Sequence, residues 1–269
     1  MTINLISALA IILYTVTGIL LGVRLSRVTT TQSTKLMLIA LGLSAVLLHG
    51  IALYSWIITP RGLNLGFFNA TSLITWFIAL LLLLTSLTKP VINLGIVLLP
   101  LAALTIVLEI MFPSNHLLFM QAGFDGLDAH ILISIMAASL ITIAAVQAGL
   151  LAIQDAHLHE KHPGGFIRAL PPLQTGETLL FQIIAMGFVL LTAALISGAI
   201  FLENIFAQHL VHKTVLSIIA WLVFGILLWG RWRFGWRGRT AIRWTLAGFF
   251  ALMLAYFGSK LVLEIILGR

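Results

Sequence analysis

Long apolar segments recur along this chain and are separated by short polar connections. A helix needs about 20 mostly apolar residues to cross a hydrocarbon core of about 30 Å. Eight segments satisfy this, at residues 2–23, 35–58, 66–87, 91–111, 126–153, 176–202, 211–233 and 239–267. The apolar runs are continuous, whereas the strands of a transmembrane barrel alternate over about ten residues. The predicted fold is an all-α, polytopic membrane helix bundle with about eight transmembrane helices.

The first apolar segment predicts a retained helix. It has no basic n-region, and it runs into Arg24 and Arg27 where a signal peptide would have a small-residue cleavage site. No linker, low-complexity tract or repeat interrupts the chain, so we expect one integral membrane domain over residues 1–269. Small residues spaced four apart, such as Gly18 and Gly22, allow close helix approach, either within the bundle or between two copies.

Composition agrees with a membrane protein: 61% of the 269 residues are hydrophobic and 9% are charged, against roughly 25% charged in soluble domains. The net charge of +7 reports orientation here and not nucleic-acid binding, because basic residues mark cytoplasmic loops. One alternate set of loops carries 11 of the 15 basic residues and the other carries 4. The larger set predicts the cytoplasmic side, so both termini are expected to be external.

Cysteine is absent from the chain. This excludes disulfides, thiolate metal sites and covalent c-type haem attachment on the chain itself. Any haem would be held by histidine or methionine without a covalent link.

The last third of the chain carries a family resemblance. The matching parts are Gly-Phe-x-Leu-Leu-Thr at 187–192, Ser-Gly-Ala at 197–199, Lys213 with Ser217 and Trp221, and Gly-Phe at 248–249. They resemble the cytochrome c assembly protein family, the haem-handling membrane proteins of the CcsA, CcmC and HemX type. The runs LLWG, GWRGR and LAYFGS are most similar to its YpjD-type bacterial inner-membrane branch. The resemblance is best over residues 180–265.

His49 is the first candidate for chemistry. It lies in the middle of an apolar segment, where an ionisable side chain is expected to face the bundle interior. A neutral imidazole there can bind haem iron through one ring nitrogen while the other donates a hydrogen bond. The resemblance implies the same role, since the family has an early transmembrane histidine proposed as a haem ligand. A hydrogen bond between helices is the alternative left open.

His130 lies about one turn inside the fifth segment, after Asp125 and Asp128, whose carboxylates suit the dipole of a first helical turn. It resembles the first external haem-ligand histidine of the family, which also begins a helix. A histidine ordered only by this capping region is the alternative. His49 and His130 are therefore the predicted ligands of haem iron.

His209 and His212 precede the seventh segment and are further candidate haem-binding residues. The family has here a tryptophan-rich loop ending in Trp-Asp-Pro-Lys-Glu-Thr, whose rings lie against the porphyrin. This chain reads FAQHLVHKTV at 206–215, so only Lys213 matches. Trp229 stands where the family has an inner histidine. In the predicted topology His49, His130 and His212 all lie in the outer half, where they could converge.

The remaining polar groups predict supporting roles. His157, His159 and His162 are expected at a solvated helix end, where their spacing could bind a metal weakly. The tryptophans and arginines of residues 229–244 are typical of anchoring at the cytoplasmic interface. Glu109, Lys260 and Glu264 lie near helix ends and are expected to reach water.

The resemblance implies a multi-pass protein of the bacterial inner membrane that binds haem b non-covalently in the outer half of the bundle and takes part in haem handling. Its expected partners are the lipid bilayer, haem and other membrane proteins. No catalytic motif is present, so we expect no enzyme activity. Two alternatives remain: a haem-free scaffold or regulator on the same fold, and a small-molecule or cation transporter with His49 and Glu109 along its path.

Overall fold

The structure is a computed structural model, and it describes residues 2–27, 32–59, 62–113, 117–118, 126–159, 169–201 and 211–258. These residues form eight α-helices. They are α1 (Thr2–Arg27), α2 (Gln32–Ile57), α3 (Phe67–Thr88), α4 (Gly95–Met111), α5 (Gly126–His159), α6 (Leu173–Phe201), α7 (Val211–Phe234) and α8 (Gly238–Met253). Among the described residues, seven helices, α1 to α7, are long and apolar enough to cross a membrane. The predicted all-α, polytopic fold is confirmed.

Several observed bounds differ from the predicted ones, and three of them have a visible local cause or continuation. Helix α5 extends to His159, because no helix breaker occurs before Pro163. Helix α6 begins at Leu173, directly after a proline pair that suits a helix start. Helix α8 ends at Met253 and passes into a π-helical segment at Leu254–Gly258.

A small antiparallel sheet was not predicted from the sequence. It consists of β1 (Ile58–Thr59), β2 (Gly62–Asn64) and β3 (Leu117–Leu118), in that order. Gly62 has a φ of 131°, in a region that favours glycine, and the Thr59 hydroxyl donates to its carbonyl at 2.7 Å. Strands of two or three residues are too short to produce a recognisable alternation in sequence.

The described contacts divide the chain into two compact units. The first contains α1 to α4 and the strands, and its core includes Tyr14, Leu38, Leu83 and Leu99. Helices α1 and α4 come close because Gly18 lies against Pro100: a Cβ at residue 18 would be 2.8 Å from the proline Cγ. Gly18 therefore packs within the chain, which was one of its two predicted uses.

The second unit contains α5 to α8. Its core includes Ile141, Ile184 and Phe224, which are fully buried. Helices α7 and α8 approach at Gly248, where a Cβ would be 2.7 Å from the Phe224 ring. That the two units form one integral membrane domain stays a prediction.

Candidate functional site

His49 lies in the first unit with both ring nitrogens hydrogen-bonded. Its Nδ1 is 3.3 Å from the Tyr14 hydroxyl of α1, and its Nε2 is 3.0 Å from the Ser72 hydroxyl of α3. The Tyr14 and His49 rings meet edge to face, with centroids 5.7 Å apart. All three side chains are fully buried. His49 therefore occupies the interior predicted for it, and it makes the hydrogen bonds between helices that were the stated alternative to haem ligation.

Ser72 extends these contacts to a fourth helix. Its hydroxyl is 2.7 Å from Oε2 of Glu109 on α4, and Oε1 of that carboxyl has no hydrogen-bond partner among the described residues. The side chains of Tyr14, His49, Ser72 and Glu109 thus form a continuous polar chain, which we call the Tyr14–Glu109 chain. One side chain comes from each of the helices α1 to α4.

The placement of Glu109 corrects the prediction that it reaches water. The residue is only 2% exposed, although it lies two positions before the end of α4. The helix turns this position toward α3, where the Ser72 hydroxyl holds the carboxyl inside the unit. One helical turn away, the hydroxyls of Thr75 and Thr105 are also paired, at 2.6 Å. Depth along a helix does not reveal which way a side chain faces, so the sequence could not show this pairing.

His130 lies in the second unit, four residues after the start of α5, and is half-buried. Its Nδ1 is 3.0 Å from the Ser197 hydroxyl of α6. That hydroxyl in turn donates to the Ala194 carbonyl at 3.1 Å. With the Ser197 proton on that carbonyl, Nδ1 donates its own proton to the Ser197 oxygen. The Ala194 carbonyl also hydrogen-bonds the His130 ring, and in this tautomer Nε2 carries the lone pair.

The other predicted histidines are dispersed. His212 is exposed in the first turn of α7, whereas His209 and His162 lie outside the described residues. Near the end of α5, His157 is partly buried and His159 is exposed, and their Nδ1 atoms contact the carbonyls of Ile153 and Asp155 at 2.9 Å. No group of three or more potential metal ligands occurs among the described His, Asp and Glu residues.

The predicted convergence of three histidines stays a prediction. His49 belongs to the first unit, and His130 and His212 belong to the second. Within the second unit, His130 and His212 begin different helices, α5 and α7.

Most of the residues that carry the family resemblance pack the second unit together. The Trp221 indole donates to the Thr192 hydroxyl at 2.8 Å and stacks on Phe188, with centroids 5.6 Å apart. Gly248 gives room to the Phe224 ring, and Ser197 contacts His130. The motif residues therefore pack α5 to α8 together, and one of them, Ser197, orients His130.

The basic turn between α7 and α8 is fixed by two carboxylates. The Gly238 amide donates to Oε1 of Glu177 at 2.7 Å, and Arg239 pairs with Asp155 at 3.0 Å. Gly235 and Gly238 have φ angles of 67° and 53°, which favour glycine. Trp232 is 82% exposed, as expected for a tryptophan that anchors at the membrane interface.

An open apolar groove of about 600 Å³ lies along α2 and α3. Its lining includes Leu47, Gly50, Ile51 and Trp76. The Trp76 indole nitrogen is already bonded to the Val46 carbonyl at 2.8 Å. His49, the predicted haem ligand of the first unit, is not among the residues that line this groove.

Comparisons with known proteins agree with the resemblance in sequence. Residues 37–267 match the family model described as Cytochrome C assembly protein. Inner membrane protein YpjD of Escherichia coli (strain K12) is 35% identical over 228 residues, 82% of this chain and 84% of that protein. No solved structure matches.

Two other relatives match over shorter stretches. An uncharacterized 28.8 kDa protein of Azospirillum brasilense is 34% identical over 55% of this chain and 56% of its own length. The cytochrome c biogenesis protein CcsA of Picosynechococcus sp. is 32% identical over 90 residues, 33% of this chain and 27% of its own. The inner-membrane relative and the seven apolar helices confirm the predicted multi-pass inner-membrane location. Because the family model covers residues 37–267, in both units, the chain belongs to the cytochrome c assembly protein family.

Proposed function

We propose that this chain binds haem b non-covalently and takes part in haem handling in the inner membrane, with His130 as an axial ligand. Family membership and the partial similarity to a protein named for cytochrome c biogenesis support a role near haem. The proposal contains no catalytic residue, and we infer that the chain is not an enzyme.

The orientation of the His130 ring is the observation that carries the proposal. A histidine that binds a metal generally donates its other ring N–H to a fixed acceptor, which sets the tautomer and aims the lone pair. Ser197 provides that acceptor for Nδ1. Nε2 is left with its lone pair at a half-buried position near the start of α5. The His130 imidazole therefore offers one oriented nitrogen lone pair, which suits it to bind haem iron.

His49 is less suited to a ligand role in this arrangement, because Tyr14 and Ser72 occupy both of its ring nitrogens. Iron ligation there would require one of these contacts to break inside a fully buried cluster. His209 and His212 remain predicted sources of a further imidazole. Haem, if bound, would supply an iron centre; His130 would hold it through an oriented imidazole, and the helices would supply apolar surface.

An absorption spectrum of the purified protein tests this proposal. We expect a b-type haem spectrum in the wild type, lost or strongly reduced in His130→Ala. Ser197→Ala removes only the Nδ1 acceptor, so we expect weaker haem retention, on the order of 10-fold to 100-fold, as for other outer-shell partners of metal ligands. His157→Ala serves as the control and should retain haem.

A haem-free scaffold on the same fold is the second candidate. It is favoured by the absence of tryptophan from residues 206–215, where the family has its aromatic loop, and by Trp229 in place of an inner histidine. A spectrum without haem bands, even after haem is supplied during expression, would support the scaffold and refute haem binding. The transport alternative is supported by the buried Tyr14–Glu109 chain.

A further inference from the structure

Glu109 is unusual in the charge pattern of the first unit. It is the only acidic residue among residues 1–120. It is 2% exposed, and its Oε1 atom has no hydrogen-bond partner in the described part of the chain. A carboxylate in such surroundings needs a counter-charge or a proton, because moving an isolated ionised carboxylate out of water is very costly.

The described cations of α1 to α4 are too far along their helices to provide the counter-charge. At a rise of 1.5 Å per residue, Arg24 and Arg27 are about 15 Å and about 20 Å along α1 from Tyr14, and Lys35 is about 21 Å along α2 from His49. Lys89, just beyond α3, is about 25 Å from Ser72 by the same measure. Tyr54 of α2, the other described ionisable side chain here, is 65% exposed. His49 is the one basic group within the Tyr14–Glu109 chain.

We propose that Glu109 and His49, bridged by the Ser72 hydroxyl, form a buried binding site for one exchangeable proton. Two arrangements of that proton satisfy the hydrogen bonds. In one, the Glu109 carboxylic acid donates to Ser72, and Ser72 donates to Nε2 of neutral His49. In the other, the imidazolium donates from Nε2 to Ser72, and Ser72 donates to the Glu109 carboxylate.

The two arrangements interconvert without any other reactant. The Glu109 O–H bond breaks as an O–H bond forms on Ser72, and the Ser72 proton forms the N–H bond at Nε2. The pair is neutral overall in both arrangements, so the transfer between them changes no net charge; release of the proton leaves the pair with one negative charge. Each link is short enough for direct transfer, at 2.7 Å from Glu109 to Ser72 and 3.0 Å from Ser72 to His49.

The two ends of the site differ. Tyr14 closes the far end, where its oxygen accepts from Nδ1–H of His49 in both arrangements, so the Nδ1 proton takes no part in the exchange. We call Oε1 of Glu109 the open end, because this buried atom has no described partner and lies two residues before the end of α4. The geometry therefore has the proton enter at Glu109 and move inward to His49.

Infrared difference spectroscopy between acidic and alkaline buffer tests this site on the full-length protein in lipid. We expect a carbonyl band from a protonated carboxylic acid at acidic pH that shifts in D₂O because the proton exchanges. Glu109→Gln should abolish the band. The matched control, Glu177→Gln, removes a buried carboxylate of the second unit that accepts a backbone N–H, and it should leave the band unchanged.

Sharing of the proton is tested separately by ¹⁵N NMR of the His49 ring. We expect the ring signals to change with the same pH midpoint as the carboxyl band in the wild type, and the two midpoints to separate in Ser72→Ala. A carboxyl band unaffected by Glu109→Gln, or wild-type ring signals that do not follow the band, would overturn the proposal. If Glu109→Gln fails to fold, the D₂O shift and the Ser72→Ala comparison still decide it. Haem content is not part of this test, so its outcome is independent of the proposed function.

Discussion

At the scale of single residues, the two histidines predicted as haem ligands have different surroundings. His49 is fully buried, with Tyr14 and Ser72 on its two nitrogens, whereas His130 is half-buried with Ser197 on one. A metal ligand needs one available lone pair, and a proton-sharing imidazole needs hydrogen bonds on both sides. His130 suits the first role and His49 suits the second.

Trp221 provides a prediction at this scale. Trp221→Phe keeps an aromatic ring against Phe188 but loses the hydrogen bond to Thr192. We expect the free energy of unfolding to fall by about 0.5–1.5 kcal/mol, the usual net value of one hydrogen bond. Denaturant unfolding in mixed micelles measures it.

The matched control for Trp221 is Trp232→Phe, which changes a ring that is 82% exposed. We expect no measurable change in unfolding free energy for this variant. Equal losses in both variants would mean that the hydrogen bond to Thr192 contributes nothing and that tryptophan itself is preferred at either site.

At the scale of elements, glycine decides how closely helices approach. Gly18 admits Pro100 between α1 and α4, and Gly248 admits Phe224 between α7 and α8. Neither Pro100 nor Phe224 is polar, so both are packing contacts, which are common where helices associate without a hydrophobic driving force.

Gly248→Ala tests this at α8. The added methyl would lie 2.7 Å from a fully buried ring, so we expect a loss of about 1–3 kcal/mol in unfolding free energy from overpacking. Gly22→Ala is the control, because a Cβ there meets nothing within 4 Å. It should be neutral or stabilising by up to about 1 kcal/mol, as Ala is a better helix former than Gly. A destabilised Gly22→Ala protein with an unaffected Gly248→Ala protein would contradict this account.

At the scale of the whole molecule, charge determines the expected orientation. The basic residues divide 11 to 4 between alternate loops, and we propose that the richer side is cytoplasmic and both termini are external. Reporter fusions after Arg27, Pro171 and Arg239 should all report the cytoplasm. A periplasmic signal at Arg239 would reverse the orientation and place Glu109, with the open end of the proton site, toward the cytoplasm.

The sequence by itself determined the membrane class, the number of helices and the family. The membrane class and the number of helices depend on the lengths of the apolar runs, and the family depends on a motif in residues 187–249. Both are local properties of the chain. The start of α8 at Gly238 was predicted to within one residue, whereas the end of α5 at His159 and the start of α6 at Leu173 were predicted less well.

Only the tertiary structure decided which polar groups meet. The apolar helices have hydrophobic residues on every side, so the sequence contains little information about which face of α2 or α4 is turned inward. Glu109 therefore appeared to be a helix-end carboxylate, and Ser72, among many serines, gave no signal at all. Their contact depends on the rotation and packing of four helices, which no single segment of the chain encodes.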